Sequence, residues 1–170
     1  MTETRPARAP PLAIMLSAIV VLASQAWTAP PVGPLILYNH SPSIPIGFYI
    51  RSHGALARGA IVTVRAADAS PAEARRRRFD GPRDFFIKRV AAIGGDLVCA
   101  HGDRLDINGV LRAVRLARDT SGHVLAHWRG CRKLHGDEAL LLGDTDDSYD
   151  GRYFGPVGVA AITGIWRRLF

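Results

Sequence analysis

Cysteine, lysine and methionine are scarce in this chain of 170 residues, and each scarcity narrows the reading. Two cysteines are too few for a small fold stapled by disulfides, and 17 glycines without a period exclude a collagen-like chain. No segment recurs at a period of about 20–50 residues, which argues against a solenoid or propeller. An apolar fraction of 48% excludes wholesale disorder, and the length suits one modest domain. Lysine occurs only at Lys88 and Lys133, so arginine supplies the other twenty of the 22 basic residues. Against 15 acidic residues this leaves a formal charge of +7.

A basic chain can meet nucleic acid or an anionic membrane surface. Here no aromatic residues interleave with the arginines along a strand, as single-strand binding requires. The arginines are read as a solvated face, and no nucleic-acid partner is expected. Only Arg75, Arg76, Arg77 and Arg78 form a run. They follow residues 66–74, which read as a short capped helix in a surface excursion.

Charge is also missing from residues 9–50, although Arg5 and Arg8 lie just before. Within that stretch residues 12–29 are apolar apart from Ser17, Ser24, Gln25 and Thr28. A bilayer takes about 20 residues to cross, with a range near 17–25, so the segment is at the lower limit. Ser24-Gln25-Ala26 also resembles the small-x-small site of a cleaved secretory signal. Trp27 and the return of apolar residues at Leu35-Ile36-Leu37-Tyr38 favour an uncleaved anchor. The expected organisation is a cytoplasmic terminus over residues 1–10, an anchor or signal segment over 11–29, and a periplasmic domain over 30–170. In an oxidising compartment Cys99 and Cys131 can pair, which makes them a disulfide candidate.

Beyond the anchor the pattern is mainly strand. Residues 60–64, 84–93, 139–142 and 157–165 read as strands. Residues 105–111 read as a hairpin about Asn108-Gly109, a pair suited to a type I′ turn. Helix is expected only in the anchor and the excursion. The fold class is therefore mainly β, an antiparallel domain behind one N-terminal transmembrane helix.

Three segments carry chemistry. Ser43 lies in Asn39-His40-Ser41-Pro42-Ser43-Ile44-Pro45-Ile46-Gly47-Phe48-Tyr49, where prolines stiffen the backbone and can hold a serine at a fixed angle. Lys88 lies between Phe85-Phe86-Ile87 and Val90-Ala91-Ala92-Ile93, a poor place to solvate an ammonium. Desolvation lowers a lysine pKa by up to about 3–5 units, and a neutral amine can take a serine proton. Arginine, so abundant here, cannot. The third segment is Gly143-Asp144-Thr145-Asp146-Asp147-Ser148-Tyr149-Asp150-Gly151-Arg152-Tyr153-Phe154-Gly155-Pro156. Its acidic start imitates a calcium loop, but Val157 stands where the closing glutamate would be. His123 and His127 have the spacing of a metal pair without the glutamate of a zinc protease, and are read as structural; no metal site is expected.

Taken in order, these motifs resemble bacterial signal peptidases of the serine/lysine type, and most closely the TraF-like conjugative-transfer peptidases. The resemblance spans nearly the whole chain. It implies Ser43 as nucleophile, Lys88 as general base, Ser41 with the Ser43 amide at an oxyanion hole, and Ser148 orienting the amine. Asp150 matches the third, acidic position of the catalytic set and would pair with Arg152. Two departures stand out: Gly94-Gly95-Asp96 replaces a proline-containing turn, and Gly151 replaces a serine. The resemblance further implies a monomeric membrane-bound endopeptidase without cofactor, processing and in some relatives cyclising a conjugative pilin precursor. Two other readings predict different partners. A general signal peptidase would remove leaders from secreted preproteins; an anchored β module would bind pilin or DNA without cleaving.

Overall fold

The computed structural model describes residues 34–169. The expected cytoplasmic terminus and anchor, residues 1–10 and 11–29, lie outside the described residues. No helix among the described residues is long and apolar enough to cross a membrane.

Eleven strands alternate with short helical turns along the described chain. Strands β1 (Ile36–Asn39), β2 (Gly47–Ser52) and β3 (Ile61–Arg65) lead into helices α1 (Ala66–Ala69) and α2 (Pro71–Arg76). Next come β4 (Phe85–Ile93), β5 (Leu97–His101), β6 (Arg104–Ile107), β7 (Val110–Val114) and β8 (Gly130–Lys133). The chain closes with β9 (Glu138–Leu142), α3 (Gly151–Phe154), β10 (Val157–Gly158) and β11 (Ile162–Arg168). One antiparallel sheet has the order β1-β2-β11-β3-β4-β9-β10, and a second has β7-β6-β5-β8.

The mainly β, antiparallel class follows the sequence pattern, and so does the hairpin turn. Asn108 and Gly109 both take positive φ, 51° and 78°, as a type I′ turn demands. After Glu138, strand β9 is apolar because residues 139–142 are buried on both faces. Leu140 and Leu142 join the core beneath the second sheet, with Val98, Leu105 and Ile107. Ala139 and Leu141 join the other core, with Val62, Val64 and Val90.

Three local expectations need correction. Residues 157–165 are not one strand. Val157 pairs with Ala139 of β9, whereas Ile165 pairs with Val62 of β3 and Ser52 of β2, so the run serves two distant positions in the sheet. A 3-10 turn, Val159–Ala161, makes the change. The excursion contains two helices, and the Ser70 side chain caps neither, although its amide closes α1 by donating to Ala66 O. Pro71 disfavours the helical conformation at the residue before it, Ser70 has φ −150°, and its hydroxyl bonds Tyr149 Oη at 2.8 Å instead. Helix α3 lies outside the anchor and the excursion, the only places where the sequence pattern leads one to expect helix; Asp150 starts it by accepting from Arg152 N at 3.0 Å.

Candidate active site

The loop between β1 and β2 carries Ser43, and two buried side chains, Asn39 and Tyr49, shape it. Asn39 Nδ2 donates to Ser41 O and Ile44 O, both at 2.8 Å, while its Oδ1 accepts from Ser41 N at 3.1 Å. Tyr49 Oη donates to Pro45 O, and Ile44 is wholly buried beside Tyr49. Prolines remove amide donors from the loop; Asn39 and Tyr49 satisfy the carbonyls of Ser41, Ile44 and Pro45. Ser43 is thereby held in a buried position.

Lys88 reaches the loop from β4. It is 4% exposed, so alternation along the strand does not place it on a wet face. Its Nζ donates to Ser43 Oγ at 2.9 Å and to Ser148 Oγ at 2.9 Å. Burial lowers its pKa from 10.5 to about 8, with Asp150 the leading opposing charge and Arg152 adding to the lowering. Such an amine gives up its proton far more readily than a surface lysine. Ser41 Oγ donates to Ser43 Oγ at 3.2 Å and accepts from Ser43 N across a long 3.4 Å. The Ser41 hydroxyl and the Ser43 amide thus both lie beside Ser43 Oγ, the amide aimed at the hydroxyl.

The segment from Gly143 to Asp150 presents Ser148, and its shape is set by Asp150 and Arg152. Asp150 is fully buried and Arg152 is 2% exposed. Asp150 Oδ2 accepts from Gly143 N at 2.7 Å. Arg152 donates to three carbonyls: Asp146 O at 2.7 Å, Thr145 O at 2.7 Å and Gly143 O at 3.1 Å. Arg152 Nε lies 3.1 Å from Asp150 Oδ1, near enough for ion pairing but poorly aligned for a hydrogen bond. Burial pushes the Asp150 carboxyl above its ordinary pKa, and Arg152 opposes that push. Asp150 thus works on the loop and on the field at Lys88, while its oxygens bond main-chain amides.

Several contributors carry no obvious mark in the sequence. A Cβ on Gly143 would come within 2.2 Å of Ser148 Oγ, so glycine there is what lets Ser148 approach. Gly151 is equally confined: a Cβ would meet Leu141 O at 2.6 Å. β9 fills the space that a side chain at 151 would need. Arg89 grips Asp144 through two bonds, 2.8 and 2.6 Å, and Asp144 N donates to Ser43 O at 2.6 Å. The Ser43 loop and the strand bearing Lys88 are therefore tied to one another through the Arg89–Asp144 ion pair and one main-chain hydrogen bond.

A cavity of about 480 Å³ opens over Ser43, Lys88 and Ser148. Phe79, Phe86 and Tyr149 give it an aromatic wall, and Arg77 lines it with its guanidinium 5.2 Å over the Tyr149 ring. The arginine run is thus partly absorbed: Arg76 and Arg77 pair with Glu73 and Asp119. The other expected sites lie elsewhere. Cys99 and Cys131 sit opposite each other on β5 and β8 and are joined by a disulfide. His101 completes the one group of three metal-ligand side chains found among the described residues, but the disulfide uses both sulfurs. His123 Nδ1 lies 3.3 Å from Asp119, and His127 Nδ1 lies 3.2 Å from Leu125 O.

Comparison with known proteins places this geometry in context. Plasmid transfer protein TraF of Escherichia coli is 31% identical over 167 residues, covering 92% of each chain. A second Escherichia coli protein of that name is 29% identical over 140 residues, covering 76% of this chain and 79% of its own. Among solved structures, a signal peptidase I from Enterococcus faecalis V583 is similar at 22% identity and a TM-score of 0.40, over 67% of this chain and 98% of that one. Residues 9–170 match the family described as signal peptidase, peptidase S26, a span that holds the serine loop, the buried lysine and the Ser148 segment together. On that match, and on the extent of its likeness to the plasmid transfer proteins, the chain belongs to the signal peptidase family.

Proposed function

We propose that the protein is a membrane-anchored serine endopeptidase that uses Ser43 and Lys88 to mature a conjugative pilin precursor. The observation that carries the reading is the 2.9 Å approach of a buried Lys88 Nζ to Ser43 Oγ. In the neutral form, Lys88 takes the proton from Ser43 as Oγ attacks the scissile carbonyl. The developing oxyanion is met by the Ser43 amide and the Ser41 hydroxyl. As the C–N bond breaks, Lys88 returns the proton to the leaving amine, and an ester on Ser43 remains. Water then releases an acid; an amine end of the same substrate would instead form a peptide bond and close a ring. Ser148 keeps the amine aimed, and Asp150 with Arg152 keeps Ser148 in place. No cofactor takes part in these steps.

The TraF name of the relatives supports plasmid transfer as the setting. Residues 11–29 would hold the monomer in the bacterial inner membrane with the domain in the periplasm. The strands that follow support contact with lipid: Ile36, Tyr38, Ile46 and Phe48 are all exposed apolar residues in or beside β1 and β2. The test is processing of pilin precursor by Ser43→Ala and Lys88→Arg variants. Loss of the mature product in both is the expected result, and undiminished processing by either would overturn the reading. Cleavage of secreted preproteins but not pilin precursor would instead favour a general leader peptidase.

A further inference from the structure

Residues 115–129 connect β7 to β8, and on the way they return to grip the helix that begins at the active site. Trp128 Nε1 donates to Gly151 O at 2.9 Å. Its ring packs on Gly155, where an added Cβ would meet Trp128 Cδ1 at 3.3 Å. Leu116 N donates to Tyr153 Oη at 3.0 Å. Trp128 is itself fixed from the second sheet, since buried Arg115 donates to Trp128 O at 2.6 Å and also to Gly102 O. Three residues further on, Cys131 is bonded to Cys99 across the β5–β8 pair.

We propose that Trp128 is a positioning residue for the Ser43, Lys88 and Ser148 arrangement, and that the Cys99–Cys131 disulfide influences catalysis through it. The proposal rests on the serine/lysine reading above. The chain of contact is continuous. The indole fixes the Gly151 carbonyl and so the first turn of α3; that turn sets Asp150 and Arg152; those two hold the carbonyls and amide of the loop that presents Ser148. Closing the bridge takes two electrons and two protons from the thiols and passes them to a disulfide oxidant, which becomes its dithiol. Before that step, backbone hydrogen bonds and the contact of His101 Nε2 with Cys131 Sγ at 3.1 Å hold β8 to β5 without a covalent tie, and the stretch bearing Trp128 is correspondingly looser. The enzyme would then be slack while its thiols are reduced and taut after oxidation, so that it becomes fully active only in an oxidising compartment.

The test uses the full chain in detergent micelles as oxidised wild type, wild type reduced by a phosphine, and Trp128→Phe in both redox states. Three quantities are read: kcat and KM on pilin precursor, and the titration midpoint of Lys88 from its 13Cε resonance. The charges facing Lys88 are Asp144 with its partner Arg89, Asp147, Asp150 and Arg152, and His40 lines the same cavity; none is changed by the substitution. β3 contributes uncharged Val62 opposite Lys88. A loosened loop admits water, so the midpoint should move up from about 8. Reduction or Trp128→Phe should each lower kcat about tenfold with little change in KM, and the two together should do no more than the larger alone. Unchanged kcat and midpoint in Trp128→Phe would overturn the proposal, as would effects that multiply. A purely structural tryptophan would lower Tm but leave the midpoint in place. If oxidised wild type fails to cleave the precursor, the functional reading fails, and the Lys88 midpoint alone decides this inference.

Discussion

Replacing Lys88 by methionine should remove activity and yet expose, in the stability of the fold, how dry the amine is. Lys88 is 4% exposed, and burial brings its pKa from 10.5 to about 8. At about 1.36 kcal/mol per pH unit, the folded state disfavours the ammonium by about 3 kcal/mol. The sign follows from proton counting. Below about 8 both folded and unfolded chains carry the ammonium, and pH has no effect through this group. Between about 8 and 10.5 the unfolded chain binds a proton that the folded chain has shed, so stability rises with pH. Above 10.5 both are neutral and the gain is complete. Lys88→Met lacks the group, although it leaves Ser148 short of a partner at a cost of about 1–3 kcal/mol independent of pH. Urea unfolding of both proteins with the disulfide intact, from pH 7 to 10.5, gives the difference directly. Tyr49 and Tyr149, whose pKa values burial raises, titrate in both proteins and cancel. Wild type should gain about 3 kcal/mol on the variant across that range, beginning near pH 8. A difference that stays flat would refute the claim that the amine is desolvated, and with it the basis for its action as a base.

Other outcomes follow from the same geometry. The rate of processing should climb about tenfold per pH unit below 8 and level off above it, as the neutral form of Lys88 accumulates; a pH–rate profile of kcat/KM reads this. Gly143→Ala should push Ser148 away from Lys88 and cut kcat by at least tenfold, measurable against wild type at equal folded fraction. Asp150→Asn leaves Arg152 buried without its carboxylate and should cost about 3–5 kcal/mol in chemical unfolding. Serine in place of both Cys99 and Cys131 should cost about 3–4 kcal/mol, the loop-closure estimate for a sequence separation of 32.

Lys88 was legible in the sequence because it is almost the only lysine and stands in an apolar run, where a charged group needs an explanation. Ser43 was legible only with its surroundings, since any proline-rich loop can hold a serine. The hairpin at Asn108-Gly109 was legible because its chemistry is local: two adjacent residues that tolerate positive φ. Asn39, Gly143 and Trp128 were not assigned positioning roles, because each matters through what comes near it from elsewhere in the chain. Asn39 bonds backbone atoms of residues that surround Ser43, and nothing in its own composition says so. Gly143 is required by a serine five residues away that only the fold turns back towards it. The break in residues 157–165 was hidden for a related reason, since strand propensity does not reveal that the two halves pair with different partners.

Arg152 grasps the loop by the peptide oxygens of residues 143, 145 and 146, not by their side chains. Recognition of that kind is blind to residue identity. Substitutions at Thr145, which lines the cavity, can alter what its mouth offers a substrate while the scaffold beneath remains untouched. The segment nearest the reaction is therefore also one where new preferences can be tried without rebuilding the catalyst.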